Sequence, residues 1–443
     1  MGWMPVKKLV ITMSLPMMIS MLVQALYNVV DSIFVARLSE HALTAVTLAF
    51  PIQNLMIAVA TGTGVGINAL LSRSLGEGRK ERADAAANNG IFLNTVHYLI
   101  FLLIGIFGAH AFIATQTADA EILAQGTSYT QIICVLSIGC FLQVTFERLL
   151  QSTGRTTLSM ISQMAGAIIN IIFDPILIFG LLGFPALGVA GAAYATVLGQ
   201  IIAAGIGCYL NVKMNHELTI SLKQILHPEG WAIKRIYQVG IPSVIMVSIG
   251  SVMSYMMNIL LMAFSSTATA VFGAYFKLQS FFFMPVFGLN NGMIPIMAYN
   301  YGARKPDRVK EAIGFAISLA AGIMLVGTLV FELFPGVLLG LFSASDEMMA
   351  IGIPALRIIA IHFPLAAIGI VLSSVFQAFA KSIYSMFVSL GRQLVILIPA
   401  AWLLAQTGNV RNVWFAFLIA EAVSLALSLF FFSRVKKEII DQM

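Results

Sequence analysis

Long apolar segments alternate with short polar ones along the whole chain. A helix needs about 20 apolar residues to cross the roughly 30 Å hydrocarbon core of a bilayer. Because lipid offers no hydrogen-bond partners to open strands, we expect all of these segments to be helical. The pattern predicts twelve membrane spans, near residues 9–36, 42–72, 84–110, 122–147, 156–182, 187–212, 236–264, 269–301, 310–333, 349–376, 382–405 and 412–433.

The two halves of the chain are related by an internal repeat whose matching positions lie 226 residues apart. Repeats of this length in an apolar chain are typical of transporters built from two homologous halves. Since each repeat holds six predicted spans, both halves should share one orientation, with a pseudo-twofold axis along the membrane normal. Identical residues at this offset include Pro16 and Pro242, Ser39 and Ser265, Gly62 and Gly288, Gly66 and Gly292, and Gln151 and Gln377.

The fold class predicted from this pattern is an all-α integral membrane protein, with twelve transmembrane helices in two six-helix lobes. The N-terminal lobe should cover residues 1–212 and the C-terminal lobe residues 236–443. A cytoplasmic linker is expected over 213–235, which includes the longest polar segment of the chain. Gly62 and Gly66 lie inside a span, so we interpret them as a close helix-packing face rather than a phosphate-binding loop.

The composition supports a membrane protein, and the distribution of charge predicts how the spans are oriented in the membrane. The chain is 59% hydrophobic and 10% charged, whereas a soluble domain is about 25% charged. Nearly all basic residues fall in loops on one side of the predicted membrane, and the opposite loops hold only Arg37 and Arg411. The positive-inside rule places the basic side and both termini in the cytoplasm. The net charge of +6 therefore reflects short membrane loops and does not indicate nucleic-acid binding.

Polar side chains inside the first span are the first candidates for function. A carboxylate near the middle of a bilayer costs about 2.5–3.5 kcal/mol on insertion scales, so Asp31 is a functional candidate by default. Gln24, Asn28 and Asp31 stand at helical spacing and share one face of the span. We therefore consider Gln24 and Asn28 candidate substrate-binding residues.

The fifth and sixth spans add a second group of polar residues. Asn170 and Asp174 are one helical turn apart, and Thr196 adds a hydroxyl from the next span. Pro175 has no N–H, which releases the carbonyl of Ile171 and makes this point a candidate hinge.

Asp31 and Asp174 are expected at similar depth, in the extracellular half of the membrane. In one poorly solvated pocket they should titrate as a coupled pair, with one proton held near neutral pH. The alternative is that each carboxyl group is satisfied structurally, Asp174 by backbone next to the proline.

The C-terminal half offers candidates for substrate contact. Met256 and Met257 in span seven and Phe283 and Phe287 in span eight form a soft, aromatic surface that suits apolar ligands. Packing against lipid is the commoner explanation of such a surface.

Three cations also lie inside spans of this half, Lys277, Arg357 and Arg392. Facing a central cavity they would favour anionic or lipid-phosphate substrates. Internal pairing, for example with Glu421 or Glu332, is the alternative that we favour.

The chain lacks the sequence signatures of the common enzyme classes. It has no Walker lysine loop, no C-x-x-C pair and no H-E-x-x-H motif. We therefore expect no enzyme activity and no cofactor, and no firm metal site. The three cysteines lie within predicted spans and are interpreted as small buried hydrophobic residues.

These motifs together resemble the multidrug and toxic compound extrusion (MATE) family. The resemblance rests on the N-x-x-x-D-P run at 170–175, on Asp31 late in the first helix, on the G-A-A-x-A-T run at 191–196 and on the two parallel halves. The segment 287–303 is similar to MepA-like and DinF-like bacterial members.

The resemblance implies a cation site in the N-terminal lobe for H⁺ or Na⁺, at Asp31, Asn170, Asp174 and Thr196. Another branch of the family uses acidic residues in the seventh and tenth helices. This chain has no acid in span seven, and span ten offers Arg357 and His362 instead, which argues against a Na⁺ site in the C-terminal lobe.

The function expected is a secondary active multidrug efflux antiporter. It would export lipophilic, often cationic compounds in exchange for H⁺ or Na⁺ by alternating access between the lobes. The alternative is a flippase for lipids or lipid-linked oligosaccharides, which the cations of the C-terminal half favour. Either protein would work as a monomer in the plasma membrane of a prokaryote, with small lipophilic molecules and the bilayer as its partners.

Overall fold

The protein is described by a computed structural model that covers residues 1–342 and 344–443. Its described part is helical and contains no strand. The α-helices are α1 (Val6–Ala36), α2 (Glu40–Gly76), α3 (Lys80–Leu103), α4 (Ala109–Ala114), α5 (Ala120–Val135), α6 (Ile138–Ser152), α7 (Thr156–Phe179), α8 (Val189–Met214), α9 (Leu222–Leu226), α10 (Gly230–Met262), α11 (Ser266–Gly302), α12 (Pro306–Leu333), α13 (Pro335–Gly340), α14 (Asp346–Ala360), α15 (Phe363–Ala378), α16 (Ser382–Leu390), α17 (Leu397–Ala405), α18 (Val410–Val413) and α19 (Phe415–Glu438). Two π-helical turns, Ile104–Gly108 and Gly391–Ile396, join α3 to α4 and α16 to α17, and a 3₁₀ turn follows α19 at Ile440–Gln442.

The number of spans agrees with the twelve predicted from the sequence. Within the described residues, 10 helices are long and apolar enough to cross a membrane, and two bent helix pairs bring the number to 12 when each pair counts as one span. The pairs are α5 with α6, bent by 44°, and α14 with α15, bent by 49°. The predicted spans 122–147 and 349–376 are therefore not straight helices.

Both bends fall at the same position of the internal repeat, and a side chain competes with the helical backbone at each one. Ser137 Oγ donates to the carbonyl oxygen of Cys134 at 2.7 Å. The ring Nδ1 of His362 hydrogen-bonds the carbonyl oxygen of Ile359. Such local bonds occupy carbonyls that would otherwise continue the helical ladder, and they commonly accompany helix bends.

The repeat also sets where two long spans begin. Ser39 Oγ accepts a hydrogen bond from Ala42 N at 3.0 Å and caps α2, and Ser265 Oγ does the same for Ala268 N and α11. A serine cap typically contributes about 1 kcal/mol to helix stability. The same sequence signal thus starts equivalent helices in both repeats.

Internal contacts divide the chain into two compact units. We call Ile19–Val244 the N-terminal unit, and Met1–Met18 together with Ile245–Met443 the C-terminal unit. Helices α1 and α10 each contribute their first part to one unit and the rest to the other.

These units differ from the predicted lobes 1–212 and 236–443 at their ends. The first 18 residues pack with the C-terminal unit, and the predicted linker 213–235 packs with the N-terminal unit, as does the start of α10.

Glycines on α11 explain why the start of α1 belongs to the C-terminal unit. A Cβ atom at Gly292 would lie 2.6 Å from Ser14 Oγ, and one at Gly288 would lie 2.5 Å from Met18 Cα. Any side chain at these positions would clash, so glycine is what allows the two backbones to approach this closely.

The matching glycines of α2 have the same role in the N-terminal unit. A Cβ atom at Gly62 would lie 2.7 Å from Val244 N, and one at Gly66 would overlap the carbonyl oxygen of Ile236. The predicted packing role of these glycines is confirmed.

The predicted linker is fixed to the N-terminal unit by polar side chains of α3. Asn88 Nδ2 donates to the carbonyl oxygen of Thr219 at 2.9 Å, and Asn88 Oδ1 accepts from Ser221 N at 2.9 Å. Asp84 Oδ1 accepts from Thr219 N at 2.8 Å. Because these bonds satisfy backbone groups of an irregular segment, the linker is part of the folded unit.

The apolar core next to the candidate site lies among α2, α5, α6, α7 and α8. Met56, Tyr129, Phe141 and Ile178 are buried there, and Phe101 of α3 packs against Phe141 with ring centroids 5.6 Å apart. This core holds the outer part of α7, which carries the aspartate of the fifth span.

Candidate functional site

Asp31 of α1 and Asp174 of α7 meet inside the N-terminal unit. Their carboxyl groups lie within interaction distance of each other; the side chain of Asp174 is fully buried and that of Asp31 is half-buried. Two ionised carboxyl groups this close would repel each other, whereas a proton on one of them would let it donate a hydrogen bond to the other. The structure thus brings together the two carboxyl groups that the sequence predicts as a coupled pair, and their coupling stays a prediction.

Asn170 connects Asp174 to α8. Its Nδ2 donates to Asp174 Oδ1 at 3.5 Å and to Thr196 Oγ1 at 3.3 Å. Helices α7 and α8 can approach closely here because residue 199 is glycine. A Cβ atom at Gly199 would lie only 2.6 Å from the carbonyl oxygen of Gly166. The four residues proposed for cation coupling are therefore neighbours in the structure.

Three oxygen atoms at this site are buried and have no hydrogen-bond partner among the described residues. They are Asp31 Oδ1, Asp174 Oδ2 and Asn170 Oδ1. Buried polar atoms are rarely left without a partner, so unpaired acceptors indicate a missing donor or cation. Carboxylate, amide and hydroxyl oxygens suit a proton donor, a water or a hard cation such as Na⁺. Among the described residues, no group of three or more His, Cys, Asp or Glu side chains is arranged to hold a metal ion.

A small polar cavity of about 40 Å³ lies beside the pair. A buried water needs about 10–15 Å³ measured in this way, so the cavity has room for a few waters. Its lining residues are Gln24, Tyr27, Gln143, Gln163, Gly166, Ala167, Asn170, Thr196, Gly199 and Gln200.

The other two polar residues predicted on the first span have different positions. Gln24 lines the cavity, and its Oε1 accepts from Gln163 Nε2 at 3.2 Å. Asn28 has an exposed side chain and does not line the cavity, so only one of these candidates lies beside the site. The helical spacing predicts that Gln24 and Asn28 lie on the same face of α1. It does not predict how much of that face is buried.

Pro175 lies within α7 and does not end the helix, which continues to Phe179 and is capped by Gly180 in a left-handed conformation. Its role as a hinge stays a prediction. The two bent spans found among the described residues are α5 with α6 and α14 with α15, and neither contains Pro175.

The apolar candidates in the C-terminal unit separate into buried and exposed residues. Met257 is fully buried, and Phe283 is buried with its ring edge against Phe363 at 5.2 Å between centroids. Met256 and Phe287 are exposed. Met256 lines an apolar groove of about 740 Å³ together with Ile259, Leu260, Ala263, Phe264, Ile398, Pro399, Trp402, Ala405 and Gln406.

The cations of this unit also differ from each other. Arg392 Nη1 lies 3.2 Å from Glu421 Oε2, and the Glu421 side chain is only 4% exposed. The favoured alternative of internal pairing is therefore confirmed for Arg392. Lys277 has an exposed side chain. The Arg392 pair lies at the π-helical turn between α16 and α17, which turns the local side chains away from the regular helical spacing.

One buried carboxylate near the site was missed in the sequence. Glu147 of α6 is 7% exposed, and its Oε1 accepts from Gln143 Nε2 at 2.9 Å. The sequence signal was present, because an acid one turn after a glutamine ends the apolar segment 122–147.

Comparisons with known proteins agree on one kind of protein. A protein-family model, MatE, matches residues 16–176 and 242–403, which are the two copies of the repeat. The multidrug export protein MepA of Staphylococcus haemolyticus is 28% identical over 94% of this chain and 91% of its own length. MepA of Staphylococcus aureus strain MSSA476 is 26% identical over 95% and 92%.

Solved structures extend the likeness to three dimensions. One, described as the outward-facing conformation of a multidrug resistance MATE family transporter of the MOP superfamily, aligns with a TM-score of 0.91 and 27% identity over 99% of this chain and 97% of that chain. Another, a MOP superfamily transporter from Pyrococcus furiosus described as having a binding pocket of reverse polarity, aligns with a TM-score of 0.89 and 26% identity over 99% and 97%.

Proposed function

The chain belongs to the MATE family, and on that premise we propose that it is a secondary multidrug efflux antiporter. It exports lipophilic, often cationic compounds in exchange for H⁺. We place it in the plasma membrane of a prokaryote with both termini in the cytoplasm, in accord with the basic loops and the bacterial relatives.

The close approach of the Asp31 and Asp174 carboxyl groups is the observation that carries proton coupling. Asp174 is buried, Asp31 is half-buried, and each side chain retains an unpaired oxygen. A proton shared between them would form a hydrogen bond and remove the repulsion of two like charges. A second proton can therefore bind without breaking the contact. Loss of the shared proton would leave two like charges in contact, which drives the side chains apart.

This charge change acts on two helices of the N-terminal unit. Protonation favours the arrangement in which α1 and α7 are held together by the pair, and deprotonation favours one in which they separate. A substrate that binds the second arrangement better shifts the equilibrium toward it, so proton and substrate compete through conformation. The protein can therefore exchange substrate for protons even if the two bind at different sites.

Na⁺ is the second candidate coupling ion. The unpaired oxygens of Asp31, Asp174 and Asn170 are hard donors that suit Na⁺ as well as a proton. The proton is favoured because the two carboxyl groups contact each other directly, and a bound Na⁺ would have to separate or bridge them.

Lipophilic substrates are favoured by the surfaces that this chain offers. Met256 lines a large apolar groove, and the relatives named above are described as multidrug exporters. Methionine side chains adapt to ligands of different shape. The carboxylates of the coupling site lie in the N-terminal unit, where a cationic substrate would be drawn.

The flippase alternative loses part of its support. Arg392, one of the cations that favoured a lipid phosphate, is paired with Glu421. The exposed side chain of Lys277 is the observation that still favours a flippase.

The deciding test is dye efflux from proteoliposomes under separately imposed proton and sodium gradients. We expect transport of a lipophilic cationic dye that a proton gradient drives and a sodium gradient does not. If only a sodium gradient drives transport, the protein is an antiporter whose coupling ion is Na⁺ and not H⁺. Scrambling of lipid-linked sugars with no dye transport would move the function to the flippase.

A further inference from the structure

Glu147 is a third carboxylate within the helices of the N-terminal unit, and neither the fold nor the coupling site accounts for it. It is buried on α6, where Gln143 donates to its Oε1 at 2.9 Å. Keeping an acid inside a membrane helix is costly, and such residues usually lie on ion pathways or proton relays. Packing of α6 by itself would be served better by an apolar residue.

Gln143 connects Glu147 to the coupling site. The same side chain that contacts Glu147 also lines the polar cavity, together with Asn170 and Thr196. Tyr27, one turn before Asp31 on α1, lines this cavity too. The cavity, which has room for a few waters, is therefore bordered by groups in contact with both carboxylate sites.

Buried polar side chains continue from Glu147 toward the end of α6. Arg148 Nη1 donates to Gln151 Oε1 at 3.0 Å, and Gln151 Nε2 donates to Ser159 Oγ at 3.0 Å. All three residues are buried, and α6 ends at Ser152 on the side of the basic loops. A polar row thus leads from the cavity to the predicted cytoplasmic end of the helix.

The titratable groups that face Glu147 among the described residues are few. They are Tyr27 of α1 and Cys140 and Arg148 of α6 itself. Of these, only Arg148 carries a charge near neutral pH, and it offsets the negative charge of ionised Glu147. The pair of aspartates is faced by Tyr27 and Tyr129, which are neutral there.

We propose that Glu147 is a second proton-binding carboxylate, which exchanges protons with the Asp31–Asp174 pair through water in the cavity and opens a route to the cytoplasmic end of α6. In this step an O–H bond of the aspartate pair breaks, a cavity water passes the proton on, and an O–H bond forms on a Glu147 oxygen. No oxidant or other reactant is needed. Gln143 is a positioning residue, since it lines the cavity itself and its amide holds the Glu147 carboxylate next to it. The proposal rests on proton-coupled antiport as the function.

The test follows proton flux driven by an outward dye gradient in proteoliposomes that contain a pH indicator. Glu147→Gln should slow proton-coupled exchange about tenfold or more, because proton transfer through a positioned group typically contributes at least that factor. It should also change the pH profile of the rate, whereas dye affinity at one fixed pH should stay within about twofold of the wild-type value.

Three further variants serve as comparisons. Gln143→Leu, which replaces a polar side chain of the cavity lining with an apolar one, should give the same slow exchange and the same altered pH profile. Glu147→Asp should recover part of the rate. Glu438→Gln, which removes an exposed carboxylate near the C-terminus, is the matched control and should behave like the wild type.

The outcomes separate this inference from the function on which it rests. If the wild type shows no proton-coupled exchange, the proposed function itself is wrong. If Asp31→Asn retains full proton-coupled exchange, the function stands, but the aspartate pair is not the coupling site and the route from it to Glu147 is overturned. If Asp31→Asn abolishes exchange while Glu147→Gln keeps the wild-type rate and pH profile, only the route through Glu147 is overturned. Should Glu147→Gln fail to fold, the pH profile of Gln143→Leu decides, since an unchanged profile overturns the route and a changed one supports it.

Discussion

At the scale of single residues, Asn170 gives the coupling site its shape. It donates to Asp174 on its own helix and to Thr196 on the neighbouring one, while its Oδ1 is left without a partner among the described residues. An amide can do this because it carries both donors and an acceptor. The aspartates supply charge, and the amide and hydroxyl supply hydrogen bonds, so their removal should have different consequences.

Asp31→Asn and Asp174→Asn should each abolish proton-coupled dye transport, because either change removes an ionisable group from the shared pair. Thr196→Ala should slow transport only about fivefold, since it removes one hydrogen bond worth about 1 kcal/mol. Dye efflux from vesicles with matched protein levels measures both effects. Asp346→Asn, a change at an exposed carboxylate, is the control. Normal efflux by a well-expressed Asp31→Asn protein would remove the aspartates from the mechanism.

A second prediction at the scale of single residues concerns the contribution of the Arg392–Glu421 ion pair to stability. Arg392→Met should lower the melting temperature in detergent, because an unpaired buried carboxylate costs about 3 kcal/mol. Adding Glu421→Leu should restore most of the loss, and Lys277→Met, which removes an exposed cation, should change the melting temperature little. If Arg392→Met kept its stability and lost substrate binding, the arginine would be a substrate contact instead of a structural partner.

At the scale of helices, glycines decide which segments pack together. Gly62 and Gly66 on α2 hold the start of α10, and Gly288 and Gly292 on α11 hold the start of α1. The internal repeat thus places an equivalent contact in each unit. This is why α1 and α10 are each shared between the two units, a feature that hydropathy does not reveal.

Gly66→Ala and Gly292→Ala should each destabilise the protein by about 1–3 kcal/mol, the usual cost of overpacking a close contact. Gly314→Ala is the matched control, because a Cβ there would meet no described atom within 4 Å and alanine favours the helix. Thermal unfolding in detergent compares the three. Equal stability of Gly66→Ala and Gly314→Ala would show that the α2–α10 contact can relax.

At the scale of the whole molecule, the repeat and the basic loops together set the topology. Each repeat contributes an even number of predicted spans, so that both begin and end on the same side of the membrane. The family model matches the two copies separately, over residues 16–176 and 242–403, which supports this division.

Reporter fusions at Gly76, Phe184, Asn215 and Thr267 should read inside, outside, inside and outside, because basic loops stay in the cytoplasm. Activity of a periplasmic and a cytoplasmic reporter at each site gives the assignment. An outside reading at Asn215 would contradict the parallel arrangement of the repeats.

Dye binding should depend on pH over the range in which the aspartate pair exchanges its proton. If protonation weakens dye binding, then dye binding must weaken proton binding by the same factor, since the two equilibria are linked. We expect affinity in detergent to rise between about pH 5 and 8 as the pair loses its proton. The dependence should vanish in Asp31→Asn. An affinity that is flat over this range in the wild type would contradict proton coupling through conformation.

The sequence by itself determined the class of fold, the number of spans and the residues of the candidate site. Apolar length fixes spans because the bilayer has a fixed thickness, and a repeat fixes the division into halves because homologous segments fold alike. Asp31, Asn170, Asp174 and Thr196 were identifiable because polar groups are costly in lipid and therefore rare.

The tertiary structure alone decided which polar groups meet and where the units end. Span patterns do not say that Asn28 points away from the cavity, that Arg392 pairs with Glu421, or that Glu147 joins the polar cavity through Gln143. Nor do they assign the first 18 residues to the C-terminal unit. These features depend on contacts between segments far apart in the chain, and the hydropathy of one segment carries no information about the side chains that another segment brings to it.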